Sequence, residues 1–112
     1  MQAASNRNQF ITATIASGAS TTGVIDLQGN RLVGVLFPAA MTGTALTVKV
    51  DSDGTLSMVA LAQAGEDVTI TATVDRVEWA DPSIFGGFNT IELVSDDTEA
   101  AERELVLIVD RY

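Results

Sequence analysis

Arg31-Leu-Val-Gly-Val-Leu-Phe-Pro-Ala-Ala-Met-Thr-Gly-Thr-Ala-Leu-Thr-Val-Lys-Val50, closed by Asp51-Ser-Asp-Gly54, decides the fold class. Residues 31–37 form an apolar run that Pro38 ends, because proline has no N–H to give to a β-ladder. Residues 44–50 then alternate, with Leu46, Val48 and Val50 on one side and Thr47 and Lys49 on the other. That is the period of a half-buried strand. An Asp-Gly turn follows, and the whole stretch reads as two neighbouring β-strands.

The same grammar extends both ways. Upstream, Ile11, Ala13 and Ile15 alternate with Thr12 and Thr14, residues 17–20 make a turn, and residues 21–27 are a weaker strand around Val24 and Ile25. Gln28-Gly29-Asn30 is a connection of hairpin type. Downstream, residues 55–61 mix their faces, and Val68, Ile70, Ala72 and Val74 alternate with Asp67, Thr69, Thr71 and Thr73. Residues 75–87 are irregular, with a short Val77-Glu-Trp79 segment and a turn at Asp81-Pro82. Residues 88–95 make another strand, residues 96–102 fit a single helical turn capped by Ser95 or Asp96, and residues 104–109 are apolar on both faces. About eight strands at regular spacing, with glycine and aspartate turns, predict an all-β fold: an antiparallel two-sheet sandwich or jelly roll. Residues 1–9 are polar and aperiodic, a flexible N-terminal arm before a single domain over residues 10–112.

The totals narrow the function classes. In 112 residues, 46% are hydrophobic, yet six Lys and Arg stand against fifteen Asp and Glu, for a net charge of -9. A phosphate backbone repels such a chain, so nucleic acid is not an expected partner. Neither an apolar signal core nor a run of eighteen apolar residues occurs, so no membrane insertion is expected. The chain has no His and no Cys, which removes thiolate metal sites and Ser-His or Cys-His nucleophilic catalysis. No paired carboxylates stand beside an aromatic platform, so no catalytic residue, cofactor or resident metal is assigned.

Two acidic stretches have ion-binding alternatives. Asp51-Ser-Asp-Gly54 opens like a calcium loop, but Ala62 stands where an EF-hand needs its twelfth-position glutamate, and a β-turn accounts for it. Asp96, Asp97, Glu99 and Glu102 read as a solvated loop, with a divalent ion as the other reading. Trp79, Phe85 and Phe88, with Tyr112, are either core or a stacking platform for a sugar.

The two-sided strands carry the functional inference. A two-sheet sandwich buries one face of each strand, whereas Val33, Val35 and Phe37, then Val59 and Leu61, then Val106 and Ile108, supply apolar side chains for a second face. Covering each stabilises by roughly 1.5 to 3 kcal/mol. Either the chain's own loops and arm cover them or another subunit does. On the second reading the contact residues are Phe10 with the arm before it, Val33, Val35, Phe37, Val106 and Ile108.

Taken together, Thr14-Ile-Ala-Ser-Gly-Ala-Ser20, Leu32-Val-Gly-Val-Leu-Phe-Pro-Ala-Ala40, Ala45-Leu-Thr-Val48, Asp53-Gly54 and Glu104-Leu-Val-Leu-Ile-Val-Asp-Arg111 resemble a group of small β-rich virion structural proteins of tailed bacteriophages, over about residues 10–111. Met41 and Val48 depart from that pattern, where aromatics are common. The resemblance implies a non-enzymatic head decoration, or cement, protein on the virion capsid surface, made in the host cytoplasm. It implies the major capsid protein as partner and a homo-oligomer, a trimer by preference. The alternative is a tail or head-fibre component, or a carbohydrate-binding adhesion module of the virion.

Overall fold

The computed structural model describes residues 9–111. The arm expected before residue 9, and Tyr112, lie outside the described residues. Gln9, grouped with the arm on sequence, is the first residue of a strand.

The chain is all-β with antiparallel pairing throughout. In order it forms β1 (Gln9–Ile15), β2 (Thr21–Asp26), β3 (Asn30–Leu36), β4 (Ala45–Asp51), β5 (Met58–Ala60), β6 (Ala62–Gln63), β7 (Glu66–Asp67), β8 (Thr69–Thr71), β9 (Val77–Trp79), a four-residue helix α1 (Pro82–Phe85), β10 (Thr90–Ser95) and β11 (Arg103–Arg111). One sheet has the order β1-β11-β3-β9. The second has the order β2-β10-β4-β5, with β8 also paired to β4, and β6-β7 is a separate hairpin.

The inward faces of the two larger sheets meet in one core. Ile15, Leu32, Val35, Leu105, Leu107 and Val109 come from the first sheet, and Ile25, Leu46, Val48, Val50, Ile91 and Leu93 from the second. The alternation in β4 and β10 does what its period dictates, burying every second residue.

Several local expectations are corrected. The Gln28-Gly29-Asn30 connection is not a hairpin, since β2 and β3 belong to different sheets. Likewise β3 and β4 belong to different sheets and do not pair with each other. A tight turn and a sheet-to-sheet crossing use the same residues, here Gln28 and Gly29 at positive φ, so local sequence does not separate them. Residues 68–74 give only the three-residue β8, and Val74 is exposed. The helical turn expected over residues 96–102 is absent, and the helix stands at Pro82–Phe85. There the Ser83 N–H donates to Asp81 Oδ1, and Pro82, whose missing N–H costs nothing in a first turn, starts the helix.

The largest correction is in β3. Ile108 pairs with Gly34, but Val109 pairs with Leu32, so Val33 is an extra residue in the ladder. This β-bulge shifts the parity of the strand. Leu32 and Val35 both point inward, and Phe37, just beyond the strand, is buried with them. Val35 and Phe37 therefore belong to the chain's own core and are not interface residues. The apparent two-sidedness of residues 31–37 is to that extent a single face read through a bulge.

Candidate binding face

Directly paired residues in antiparallel strands share a face, so the register specifies what lies on the outside of the four-stranded sheet. One row runs Phe10, Ile108, Gly34, Trp79, and the next runs Thr12, Val106, Leu36, Val77. Phe10 is 64% exposed, Trp79 70%, Val77 53% and Leu36 38%, while Val106 and Ile108 are half-buried between them. Gly34 is the thin spot of the row. A Cβ placed there would lie 3.1 Å from Val77 Cγ1 and 3.6 Å from Ile108 Cδ1, so these two side chains close over it from opposite sides. The result is a continuous apolar face spanning all four strands, about 14 Å across at the usual strand spacing.

Polar groups border this face. Arg31 and Asp110 pair across β3 and β11, Nη2 to Oδ2 at 3.4 Å. Thr14 stands opposite Glu104.

The outer face of the five-stranded sheet is different. Its pairs are Thr90 with Asp26, Glu92 with Val24, Glu92 with Lys49, Lys49 with Ala60, and Val94 with Thr47 and Thr21. The Thr21 hydroxyl donates to Glu92. Charged and hydroxyl side chains dominate there, as on an ordinary wet sheet face. One face is therefore built for water and the other is not.

Of the residues singled out on sequence, Phe10, Val33, Val106 and Ile108 belong to the first sheet's outer side, with Val33 raised there by the bulge. Trp79 joins them. Phe85 is 3% exposed in the core and Phe88 packs against that core, so the three aromatics do not form one platform. Leu36 and Val77 were missed. Leu36 reaches the outer face only because the bulge shifts parity, and the Val77-Glu-Trp79 alternation was the available signal for Val77.

The acidic stretches have structural roles. In the 51–57 loop, Asp51 Oδ1 accepts from the N–H groups of Asp53, Gly54 and Leu56 at 3.0–3.3 Å, and Asp53 Oδ1 accepts from the Thr55 N–H at 3.0 Å. The Thr55 bonds hold the Asp53 carboxyl below its ordinary pKa. Asp96 accepts from the Thr44 N–H and hydroxyl, both at 2.8 Å, which lowers its pKa likewise. Glu99 is fully buried and accepts from the Thr42 N–H at 2.8 Å, the Gly43 N–H at 2.9 Å, the Ser95 hydroxyl at 2.8 Å and Arg103 Nε at 2.9 Å. Burial alone pushes its pKa up, but these four donors outweigh it and hold the carboxyl at about 2. The 96–102 loop is thus not a freely solvated run: Glu99 ties it to residues 42–43 at one end of the core.

No protein-family model, curated protein or solved structure matches the chain.

Proposed function

We propose that this chain is a non-enzymatic virion structural protein of a tailed bacteriophage, a capsid decoration protein. The outer face of its four-stranded sheet docks on the outside of the assembled shell and stabilises contacts among major capsid subunits. The observation that carries the binding role is the continuous face of Phe10, Ile108, Val106, Leu36, Val77 and Trp79 beside a polar face on the opposite sheet. Isolated apolar residues on a surface are ordinary, whereas a contiguous patch with a polar border marks an interaction site. The virion setting comes from the sequence resemblance.

The architecture supports the same reading. Numbering the principal strands β1, β2, β3, β4, β5, β9, β10 and β11 as first to eighth gives the sheet orders 1-8-3-6 and 2-7-4-5. With β6, β7 and β8 set aside, that order is compatible with a jelly-roll sandwich, an architecture that recurs in viral capsid and lectin domains. Fold analogy supplies a class and the apolar face supplies the role. A non-enzymatic role also fits where the carboxylates go, since those of Asp51, Asp53, Asp96 and Glu99 are engaged by backbone N–H groups.

A second reading is favoured by one feature. Trp79 is the most exposed large apolar side chain described and stands on an edge strand of the four-stranded sheet, where a ring can stack on a glycan. Mass spectrometry of purified particles decides between the two: a copy number comparable to the major capsid protein supports decoration, and a handful per particle supports a tail or fibre position. On the adhesion reading, Trp79→Ala abolishes retention on polysaccharide.

A further inference from the structure

The four-stranded sheet has two edges, and they are unlike. At one edge β9 is three residues long and carries Glu78. In the other sheet, the edge strand β2 is interrupted by Gly23 at φ 74° and by a register shift against β10, and β5 is again three residues. Short strands, charges and bulges are the usual means of blunting an edge against further pairing. β1 has none of them. Gln9–Ile15 pairs residue for residue with β11 along its whole length, with no bulge, no proline and no charged side chain, and among the described residues it has no strand on its other side.

We infer that β1 is the seam of a two-fold dimer, in which the β1 strands of two copies pair antiparallel and join two four-stranded sheets into one of eight. The occupant, a second copy, follows from self-complementarity, and no charge on the strand opposes it. Two copies that each carry a net charge of -9 repel over most of their surface, and β1 is the long edge along which no like charges meet. Full antiparallel overlap of the seven residues places Thr12 opposite Thr12 of the second copy. Ile11 then lies opposite Ala13, and Phe10 opposite Thr14. Small and β-branched side chains suit such cross-strand pairs. The pairing satisfies the outward backbone groups of the strand and sets one flank of Phe10, which one copy alone leaves 64% exposed, against Thr14 of the second copy, with its outer side still part of the apolar face. It also sets the two apolar faces side by side as one surface. The dimer replaces the trimer implied by the family resemblance and does not depend on the capsid reading, because mass is measured with no capsid present.

Sedimentation velocity of the full chain at physiological salt tests this. The expected mass is twice that of the 11.7 kDa chain. Thr12→Lys, at an exposed position, is expected to give single-chain mass with an unchanged far-ultraviolet spectrum, because it sets two ammonium groups face to face. The chain contains no cysteine, so Thr12→Cys adds one thiol. It is expected to cross-link into a disulfide dimer under mild oxidation much faster than Ala101→Cys, on an exposed loop. Single-chain mass for the parent protein at every concentration overturns the inference. So does a three-chain mass, a two-chain mass that Thr12→Lys leaves intact, or equal cross-linking of the two cysteine variants.

Discussion

Arg103 Nε donates to Glu99 Oε1 at 2.9 Å, and the glutamate that receives it is fully buried. The guanidinium also reaches Thr42 Oγ1 through Nη2 at 3.2 Å, so one ion pair fastens β11, the loop before it and the β3–β4 crossing. A buried charge is costly unless its hydrogen bonds are complete, and here backbone and side-chain donors complete them.

Acid sensitivity follows from that site. The Glu99 carboxyl titrates near 2 in the fold against an ordinary 4.5. A depressed folded pKa stabilises above the unfolded value and loses that contribution as pH falls through the folded one. The difference corresponds to a contribution on the order of 3 kcal/mol, burial already included. Urea midpoints should therefore hold steady from pH 7 to about 5 and fall between about 5 and 2. In Glu99→Gln the neutral-pH stability should be lower and the fall shallower. An acid limb of equal size in both proteins assigns the effect to other carboxylates.

Gly43 is fixed by the same cluster. A Cβ there would overlap Ser95 Oγ and lie 2.8 Å from Asp96 Oδ1 and 3.1 Å from Glu99 Oε2. Gly43→Ala should destabilise by about 1 to 3 kcal/mol, because the atoms that would have to move are the ones holding the loop. Thermal unfolding beside Gly87→Ala, where a Cβ meets nothing within 4 Å, isolates the steric contribution.

Leu56 is a strained position of a different kind. It sits at φ 65° in the loop between β4 and β5 and is 58% exposed. A leucine in the left-handed region is held there by its surroundings, in this case by the Leu56 N–H bonded to Asp51 Oδ1 at 3.2 Å. Leu56→Asn keeps that N–H and suits the backbone, so stability should rise by about 0.5 to 1 kcal/mol. Unchanged or lower stability in equilibrium denaturation shows that the apolar side chain contributes where it stands.

How far the sequence disclosed these features depends on the range of the interaction involved. Period-two alternation placed β1, β4 and β10 and their buried residues, because one face of a strand is a local property. Pairing partners are not local: β1, β2, β3 and β4 alternate between sheets, and the turns joining them look like hairpin turns. The bulge at Val33 was illegible for the same reason, since an extra residue is defined only against Ile108 and Val109 on β11. Hence Val35 and Phe37 read as surplus, when the structure buries both in the chain's own core and leaves Leu36 partly exposed on the outer face. The carboxylate of Glu99 looked like one acid among four, and what distinguishes it is the convergence of donors from residues 42, 43, 95 and 103.

The proposed docking face can be separated from fold stability by paired substitutions. Leu107 is fully buried, opposite Ile11 on one side and Val35 on the other, and Leu107→Ala should cost about 2 to 5 kcal/mol. One residue along the same strand, Ile108 points to the outer face, flanked by Phe10 and by Gly34 with Trp79 beyond. Phe10 and Trp79 sit at the two margins of that face, and their rings are largely in water in the isolated chain. Phe10→Ser and Trp79→Ser should each change stability by no more than about 1 kcal/mol, since little burial is lost. On a docked shell those same rings would be covered, and attachment should drop by at least tenfold for either variant, as aromatic anchors dominate interfaces. Glu92→Ser, on the polar face of the other sheet, should leave attachment unchanged. Co-sedimentation with undecorated particles reads the outcome: equal attachment by all three variants removes the face from the mechanism, and loss only in Glu92→Ser moves the contact to the opposite sheet.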